Sequence, residues 1–353
     1  MRQWKNNIRR VEPYTPGEQP QGTGIIKLNT NENPYPPAPG VMTCQLDPEK
    51  YRLYPDPTVG DLVRELSAYH GLEEDQVFVG VGSDDVLATC FMTFFNSDLP
   101  ICFPDITYSF YDVWAELFRI PYERKPLNEA FELQAEDYYA ENGGVIFPNP
   151  NAPTGLAAGQ ERIRDILEHN RNVIVIIDEA YIDFGGESAL PLLNEYDNLI
   201  IVRTFSKSRS LAGLRIGYAM GNSELIKALL DVKYSYNSYT MNRPSIVLGV
   251  ESVRDEAYFR ETVSKIVTTR EWVKKELSAM GFVFPDSQAN FIFASHPGVS
   301  AAKLYQAAKE KQIYVRYFDK PRIDRYLRIT IGTDDEMKAF LKFVKEYLQE
   351  VGI

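Results

Sequence analysis

The sequence predicts an α/β protein with a mixed, mostly parallel sheet covered by helices, a smaller α+β domain and an N-terminal arm. Two observations lead to this prediction. Between residues 61 and 221, short β-branched runs alternate with helical segments, a pattern typical of a sheet with helices on its faces. Beyond residue 244 the pattern becomes mainly helical, which indicates a second, smaller unit. The 353 residues, 44% of them hydrophobic, are enough for two domains.

The N-terminal arm is the first element along the chain. The stretches VEPYTPGEQPQGTG and NTNENPYPPAPG are rich in Pro, Asn and Gly. Because Pro and Gly interrupt helices and strands, such segments suit an extended chain better than a packed element. We expect residues 1–45 to form the arm and part of the small domain, residues 46–244 the large domain, and residues 245–353 the small C-terminal domain.

The strands of the large domain come next. Buried parallel strands appear in a sequence as short, nearly continuous apolar runs. Four such runs are the predicted strands: Val77 to Val81, Val145 to Phe147, Val173 to Ile177 and Leu199 to Val202. The small domain should follow with a long amphipathic helix from about Leu248 to Met280, the stretches NFIFA and YLRITIG, and a terminal helix from Asp335 to Val351.

Charge and hydropathy exclude several classes of partner. The 38 basic and 49 acidic residues give a net charge of -11, which disfavours binding to nucleic acid or to an anionic membrane. The apolar runs are too short to cross a bilayer, and MRQWKNNIRR lacks the apolar core of a signal peptide. We therefore expect a cytoplasmic protein.

Cysteine and histidine usage limits the chemistry. Cysteines 44, 90 and 102 lack CxxC spacing, which indicates reduced packing residues rather than disulfides. The three histidines lie far apart and have no ligand-type neighbour at metal-binding spacing, so no metal site is predicted. Acid–base chemistry would have to use lysine, tyrosine or carboxylates.

Asp178 is the first candidate for chemistry, because it directly follows the apolar run Val173 to Ile177. Open α/β sheets bind ligands at the carboxyl ends of their strands, where this carboxylate should emerge. A helix cap or turn aspartate is an equally simple interpretation of Asp178 taken alone.

The stretch VFVGVGSDD predicts a strand, a glycine turn and a helix that opens at Ser83. Free backbone N–H groups at a helix start favour a phosphate. The stretch does not match a dinucleotide-binding motif, because Asp85 stands where the third glycine of GxGxxG would be. A purely structural turn is the alternative.

The stretch TFSKSRSLAGLRIGY places Lys207 in a loop after a predicted buried strand. Ser206 and Arg215 are good phosphate ligands, and a lysine beside such cations loses proton affinity, so that its neutral amine can attack a carbonyl. A phosphate cradle, a carboxylate and a nucleophilic lysine together indicate pyridoxal 5′-phosphate (PLP). An exposed loop lysine is the alternative when Lys207 is taken alone.

Ten stretches in order resemble the fold-type I PLP-dependent aminotransferases, in particular those that act on histidinol phosphate. The stretches are VEPYTPG, LNTNENPYPPAP, YPDP, GVGSDD, PDITYSFY, NPNAPTG, DEAYIDF, TFSKSRSLAGLRIGY, QANFIF and YLRITIG. The resemblance runs nearly from end to end, and it implies the fold of PLP-dependent transferases of type I.

The resemblance also implies roles for residues around the cofactor ring. Lys207 would carry PLP as a Schiff base and later move a proton on the substrate. Asp178 would pair with the pyridine nitrogen, Tyr181 would hydrogen-bond the ring hydroxyl, and Tyr108 would stack on the ring. Where the family commonly has NPNNPTG, this chain has Ala152 in place of the asparagine that contacts the ring oxygen, and Asn151 is the candidate to replace it.

The implied phosphate and substrate ligands lie in other stretches. The phosphate would be held by Ser83, Asp84, Ser206 and Arg215, with Tyr54 reaching in from the second subunit of a homodimer. Arg328 would bind a substrate carboxylate and Arg316 a phosphate or side-chain carboxylate, while Tyr14 and Asn29 of the arm would close over the rest of the substrate.

The expected reaction converts L-histidinol phosphate and 2-oxoglutarate to imidazole acetol phosphate and L-glutamate, a step of histidine biosynthesis. An aromatic amino-acid aminotransferase or a threonine-phosphate decarboxylase would use the same catalytic groups. A PLP-binding regulator is a further alternative, but the segment before Leu28 is too short and too rich in proline for a DNA-binding helix-turn-helix.

Overall fold

The structure, a computed structural model, describes residues 3–353. The strands are β1 (Ile26–Lys27), β2 (Val77–Gly80), β3 (Ile101–Pro104), β4 (Tyr122–Lys125), β5 (Gly144–Pro148), β6 (Val175–Asp178), β7 (Leu199–Thr204), β8 (Gly217–Gly221), β9 (Phe291–Ala294), β10 (Ile313–Tyr314), β11 (Arg316–Tyr317) and β12 (Leu327–Thr330). The α-helices are α1 (Pro39–Thr43), α2 (Gly60–His70), α3 (Ser83–Phe94), α4 (Phe110–Phe118), α5 (Gln160–His169), α6 (Ser223–Tyr236), α7 (Arg243–Arg254), α8 (Glu256–Ala279), α9 (Ala301–Glu310) and α10 (Asp334–Glu350).

The larger sheet has seven strands in the order β2-β8-β7-β6-β5-β3-β4. Strands β4, β3, β5, β6 and β7 are parallel, and β8 is antiparallel to both β7 and β2. Strand β2 therefore points the same way as the parallel strands, so the loops that follow β2, β5, β6 and β7 all leave from one edge of the sheet. This is the edge at which open α/β sheets bind ligands.

Apolar side chains on both faces hold this sheet between helices. All four residues of β6 are buried, and successive side chains enter opposite core clusters: Val175 and Ile177 lie in one, Ile176 in the other. The β-branched runs of the sequence form strands because each residue has a packed face to enter, and burying one such side chain contributes about 1.5–3 kcal/mol.

A second core lies under the C-terminal part of the chain. Strands β11, β12 and β9 form an antiparallel sheet, and β1 pairs in parallel with β10. Helices α8, α9 and α10 contribute buried residues to this core. Through β1, the N-terminal arm is attached to the part of the chain that follows residue 290.

Two predictions about elements need correction. The expected helix from Leu248 to Met280 is two helices, α7 and α8, because the Asp255 side chain caps a new helix start by accepting a hydrogen bond from the backbone N–H of Tyr258. The arm is not extended throughout, since residues 3–7 form a 3₁₀-helix and residues 39–43 a short α-helix. The terminal helix begins and ends within one residue of its predicted bounds.

Among residues 3–353, the structure has no helix of the length and apolarity needed to cross a bilayer.

Candidate active site

Asp178 is the last residue of β6 and lies at the ligand-binding edge of the large sheet. Its carboxylate accepts a hydrogen bond from the Tyr111 hydroxyl at 3.1 Å and one from the backbone N–H of Ala180 at 3.2 Å. Burial raises the pKa of the Asp178 carboxyl to about 7, although both hydrogen bonds act in the opposite direction. Within the described residues no basic side chain forms an ion pair with Asp178, so its carboxylate is free to face a cationic ligand.

Lys207 lies in the loop after β7, three residues beyond the last strand residue. Its Nζ donates a hydrogen bond to the backbone oxygen of Thr30 at 3.1 Å and lies 5.7 Å from the centre of the Tyr181 ring. The following residue, Ser208, holds the loop in place, because its hydroxyl donates to Asp183 at 2.5 Å and its backbone oxygen accepts from Asn33 at 3.1 Å. The loop therefore presents the amine beside Tyr181 and close to the arm.

Tyr181 follows β6 by three residues and turns its ring towards the same cleft. The ring is packed edge-on against Phe291 of β9, with centroids 5.1 Å apart. The hydroxyl oxygen accepts a hydrogen bond from the Asn31 side-chain amide at 2.9 Å. Tyr181 is thus fixed both by packing and by one polar contact from the arm.

The start of α3 packs against the start of β8 and the loop before it. The two glycines at this contact, Gly82 and Gly217, have no space for a side chain. A Cβ atom on Gly217 would come within 2.3 Å of the Gly82 carbonyl carbon and the Ser83 backbone nitrogen, and one on Gly82 within 2.4 Å of an Arg215 nitrogen. The first turn of α3 therefore leaves its N–H groups next to the wall that carries Ser206 and Arg215. This is the arrangement that binds a phosphate at a helix start.

Side chains at this wall already contact one another. Arg215 pairs with the Asp84 carboxylate at 3.1 Å, and the Tyr108 hydroxyl donates to the other oxygen of Asp84 at 2.7 Å. The Asp84 side chain thus connects Tyr108 to Arg215, and its backbone N–H remains a possible phosphate donor. Ser206 is buried, and its hydroxyl accepts from Thr204 at 3.0 Å.

Two arginines lie opposite each other on adjacent strands of the three-stranded sheet. Arg316 of β11 and Arg328 of β12 are directly opposite partners in an antiparallel pair, and like charges in such a pair repel. Burial, together with the nearby charge of Arg316, lowers the pKa of the Arg328 guanidinium. Arg328 donates to the backbone oxygen of Asn29 at 2.9 Å, but its Nε is buried and without a partner. Neither arginine forms an ion pair within residues 3–353, which leaves both available to an anionic ligand.

One cleft of about 170 Å³ collects many of the predicted residues. It is lined by Lys207, Tyr181, Tyr108, Arg316, Arg328, Tyr14 and Asn29. Tyr14 of the arm is stacked on Phe110 at a centroid distance of 4.2 Å, and the Asn29 amide donates to the backbone oxygen of Glu18 at 2.7 Å. The cleft shares Tyr14 and Arg316 with a second cavity of about 590 Å³.

Seven predicted residues do not line this cleft: the strand-end and helix-start residues described above, namely Asp178, Ser83, Asp84, Ser206 and Arg215, and also Asn151 and Tyr54. Both Asn151 amide protons are used elsewhere, because its nitrogen donates to the Ile106 backbone oxygen and to the Thr154 hydroxyl, each at 3.0 Å. The Asn151 side-chain oxygen is buried and has no partner among the described residues, and the contact of Asn151 with the ring oxygen stays a prediction. Tyr54 is 78% exposed and stacked on Tyr239, with centroids 4.6 Å apart, away from the cleft of its own chain.

Several residues of the site were not predicted from the sequence. Tyr111 lies in the stretch PDITYSFY and is the second residue of α4. Its spacing of three residues from Tyr108 could have indicated that the two side chains lie on one side of the helix start. Asn31 lies in LNTNENPYPPAP two residues after Asn29, but no local pattern distinguishes it from the other asparagines of that stretch. Thr330, which contacts Asn31, looks like an ordinary strand residue in the sequence.

Comparisons with known proteins agree on one family. The family model "Aminotransferase class I and II" matches residues 23–344. A histidinol-phosphate aminotransferase of Lactococcus lactis is 51% identical over 352 residues, covering 98% of this chain and 97% of the relative. One from Clostridium acetobutylicum is 50% identical, covering 97% and 98%. The crystal structure of the histidinol-phosphate aminotransferase from Sinorhizobium meliloti in complex with pyridoxal-5′-phosphate superposes with a TM-score of 0.84 at 22% identity, covering 93% and 92%, a likeness in fold.

Proposed function

Because the chain belongs to the class I and II aminotransferases and, within them, to the histidinol-phosphate aminotransferases, we propose that it transfers the amino group of L-histidinol phosphate to 2-oxoglutarate. The products are imidazole acetol phosphate and L-glutamate, and the reaction is a step of histidine biosynthesis. The observation that carries this proposal is that Arg316 and Arg328, which form no ion pair within residues 3–353, line one cleft with Lys207.

PLP is the cofactor of this family, and the residues present fit it. Asp178 is a buried carboxylate without a basic partner among the described residues, as a protonated pyridine nitrogen requires. The contact between Gly82 and Gly217 leaves backbone N–H groups at a helix start, as a phosphate requires. When bound, PLP supplies an electron sink that allows a proton to leave the carbon bearing the amino group.

The chain's own residues then have separate tasks. Lys207 would hold the cofactor and, as a free amine, would take the proton from the amine-bearing carbon of the substrate and pass it to the cofactor. Asp178 would keep the pyridine nitrogen protonated, Tyr181 would donate to the ring oxygen, and Tyr108 would cover the ring face. The cofactor phosphate would be bound by Ser83, Asp84, Ser206 and Arg215, the first two through backbone N–H groups.

The two arginines suit both substrates of the reaction. 2-Oxoglutarate carries two carboxylates, and we assign its α-carboxylate to Arg328 and its side-chain carboxylate to Arg316. Histidinol phosphate presents one doubly charged phosphate instead. Tyr14 and Asn29 border the remaining space and would contact the imidazole. In this proposal the large domain, residues 46–244, binds the cofactor, and the small domain, residues 245–353 with the arm, binds the substrate anion.

We further propose a homodimer with shared active sites. Tyr54 is stacked on Tyr239, and both side chains are exposed, as apolar residues at protein–protein interfaces often are in a single chain. Tyr51, Leu53 and Tyr236, which are near these two in the sequence, are also exposed, and we call the five residues the exposed group. A twofold axis near this group would bring Tyr54 to the partner's phosphate site and would make both sites equivalent.

We place the reaction in the cytoplasm. Cys90 and Cys102 are buried free thiols and Cys44 is a partly buried one, which suits a reducing compartment.

Product identification tests the proposed function. The purified holoenzyme is incubated separately with histidinol phosphate, phenylalanine and threonine phosphate, each with 2-oxoglutarate, and the products are identified by mass spectrometry. We expect imidazole acetol phosphate and glutamate as the main products. Phenylpyruvate as the main product would indicate an aromatic aminotransferase, and loss of carbon dioxide from threonine phosphate would indicate a decarboxylase; either result would overturn the proposal.

A further inference from the structure

Three consecutive residues of the arm contact three functional groups of the cleft. The backbone oxygen of Asn29 accepts from Arg328 at 2.9 Å, and that of Thr30 accepts from Lys207 at 3.1 Å. The Asn31 side chain donates to Tyr181 at 2.9 Å. We call residues 29–31 the strap. Arg328 is assigned to the substrate, Lys207 carries the amine, and Tyr181 is assigned to the ring oxygen. Because the strap contacts all three side chains, its geometry affects each of them.

Asn31 is the most constrained residue of the strap. It is 1% exposed and has a φ angle of 58°, a left-handed conformation that asparagine tolerates better than most residues. Its N–H donates to the Thr330 hydroxyl at 3.0 Å, and its backbone oxygen accepts from Asn290 at 3.0 Å. Its side-chain oxygen accepts from the same Thr330 hydroxyl at 2.9 Å. The backbone and side chain of Asn31 are therefore both held.

These contacts fix which way the Asn31 amide points. The Thr330 oxygen takes the Asn31 N–H, so its single proton is available for the Asn31 side-chain oxygen. In this arrangement the Asn31 side-chain oxygen faces Thr330, and the NH₂ group faces Tyr181. The Tyr181 oxygen accepts one of these protons, which leaves the proton of its own hydroxyl free to point into the cleft.

Ala152 replaces the asparagine that the family commonly has in this cleft, and its side chain cannot donate a hydrogen bond. The next residue, Pro153, also lines the cleft and has no donor either. The Asn151 amide donates to other groups, as described above. The direction of the Tyr181 O–H group therefore decides whether a ligand beside it receives a hydrogen bond.

We propose that Thr330 and Asn31 form a relay that directs the Tyr181 hydroxyl proton at the ring oxygen of the bound cofactor, so that both are positioning residues of the active site. The inference rests on the proposed function, because it assumes that PLP is held by Lys207. It deepens that function by naming residues that act through Tyr181 without touching the cofactor.

The relay has a spectroscopic consequence. A hydroxyl that accepts a hydrogen bond becomes a stronger donor, because successive hydrogen bonds polarise one another. A hydrogen bond to the ring oxygen stabilises negative charge on that oxygen. The deprotonated form of the cofactor, which is present at high pH, has the larger negative charge there and is stabilised more. The relay therefore lowers the pH midpoint at which the visible absorption of the holoenzyme changes, and its loss raises that midpoint.

Other charged groups face Tyr181 and also contribute to the midpoint. Lys207 lies over its ring, and Arg328 and Tyr111 interact with it electrostatically. Glu32, next to the strap, interacts with Lys207. The variants used below are neutral and leave these four groups in place, so a shift reports on the hydrogen bonds of the relay.

The first test removes the Asn31 side chain. Asn31→Gly keeps the left-handed backbone, for which glycine is suited. We expect the absorption midpoint of the holoenzyme to rise by about 0.4–1 pH unit, the size of one neutral hydrogen bond. Tyr181→Phe should raise it at least as much, and the double variant should match Tyr181→Phe alone. An unchanged midpoint in Asn31→Gly, or a shift that persists in full without the Tyr181 hydroxyl, would overturn the relay.

The second test changes Thr330 with a matched pair of variants and does not depend on Asn31→Gly folding. Thr330→Val keeps the shape but removes the hydroxyl, so that the Asn31 amide can turn around, whereas Thr330→Ser keeps the hydroxyl. We expect a raised midpoint in the valine variant and a wild-type midpoint in the serine variant. Equal midpoints in the two variants contradict the relay. If the wild-type protein itself binds no PLP at Lys207, the proposed function fails first, and the inference fails with it.

Discussion

At the scale of single residues, the site is built from side chains that lack the partners their charge would normally require. Asp178 is a buried acid without a base, and Arg316 and Arg328 are bases without acids among residues 3–353. Such groups reduce stability unless a ligand pairs with them. In the proposed function, the cofactor would pair with Asp178 and the substrate anions with the two arginines, and this pairing would contribute to binding.

Lys207 is expected to be the only lysine that carries the cofactor. The holoenzyme should absorb in the visible, and Lys207→Ala should lose this band, because no other amine occupies its place. Reduction of the wild-type holoenzyme with borohydride, followed by peptide mapping, should label Lys207. The matched control Lys27→Ala, at a lysine of the arm that pairs with Glu32, should keep the band and the label. A label on a different lysine would refute the assignment.

Asp178 should make the stability of the apoprotein depend on pH. Its pKa is about 7 in the folded chain, above the ordinary value of 3.8. Between these two values the folded state binds more protons than the unfolded state, so the free energy of unfolding falls as pH rises, by up to about 1.4 kcal/mol per pH unit. In Asp178→Asn this contribution should be absent. Chemical denaturation of both apoproteins from pH 4 to 7 measures the difference, and a difference that does not change with pH would contradict the assigned pKa.

Single residues were predictable where a strand end exposed them. Asp178 could be placed from the sequence because an apolar run leads directly to it, and Lys207 because another run ends five residues before it. Asn31 could not be singled out, since its role depends on Tyr181 and Thr330, which are 150 and 299 residues away in the chain. The prediction for Asn151 could not take its acceptors Ile106 and Thr154 into account, because they are visible only in the folded loop.

At the scale of elements, the site depends on the close contact between β8 and the start of α3. The strands themselves were predictable, because burial on both faces requires nearly continuous apolar runs. The break between α7 and α8 was not, because the apolar periodicity continues across Asp255 and only the capping contact shows where a helix begins. The approach of Gly217 to Gly82 was also invisible in the sequence, because it joins segments 135 residues apart.

Gly217→Ala is expected to weaken PLP binding strongly. A Cβ atom there would lie 2.3 Å from backbone atoms of Gly82 and Ser83, so α3 must shift away from the wall that carries Arg215. Gly213→Ala is the matched control, because a Cβ at Gly213 meets nothing within 4 Å. Equilibrium dialysis of PLP with both folded variants should show a loss of at least tenfold for the first and little change for the second. Equal affinities would mean that this contact does not shape the phosphate site.

At the scale of the whole molecule, the proposed shared site requires two chains. Tyr54 lies away from the cleft of its own chain and is exposed together with Tyr239, on which it is stacked. The sequence could suggest this arrangement only through resemblance, because one chain's pattern does not encode where a symmetry axis lies.

Mixing two inactive variants tests the shared site. Lys207→Ala and Tyr54→Ala dimers are combined, after Tyr54→Ala alone has been shown to be impaired. Each mixed dimer then has one site with both lesions and one with neither, so activity should recover towards about a quarter of wild type if exchange is random. Mixing Lys207→Ala with Asp178→Ala is the control, because both residues serve their own chain and no site is restored. Verified heterodimers of the first pair without recovered activity would show that Tyr54 serves its own subunit.

The cleft that holds Lys207 together with Arg316 and Arg328, two arginines without an ion pair among the described residues, should select histidinol phosphate. The most direct measurement is the ratio of kcat/KM for histidinol phosphate to kcat/KM for phenylalanine, each with saturating 2-oxoglutarate. A doubly charged phosphate can engage both arginines, and one additional charge-assisted hydrogen bond contributes about 1.5–3 kcal/mol, so the ratio should be roughly tenfold or more in favour of histidinol phosphate. A ratio near one, or a preference for phenylalanine, would contradict the account.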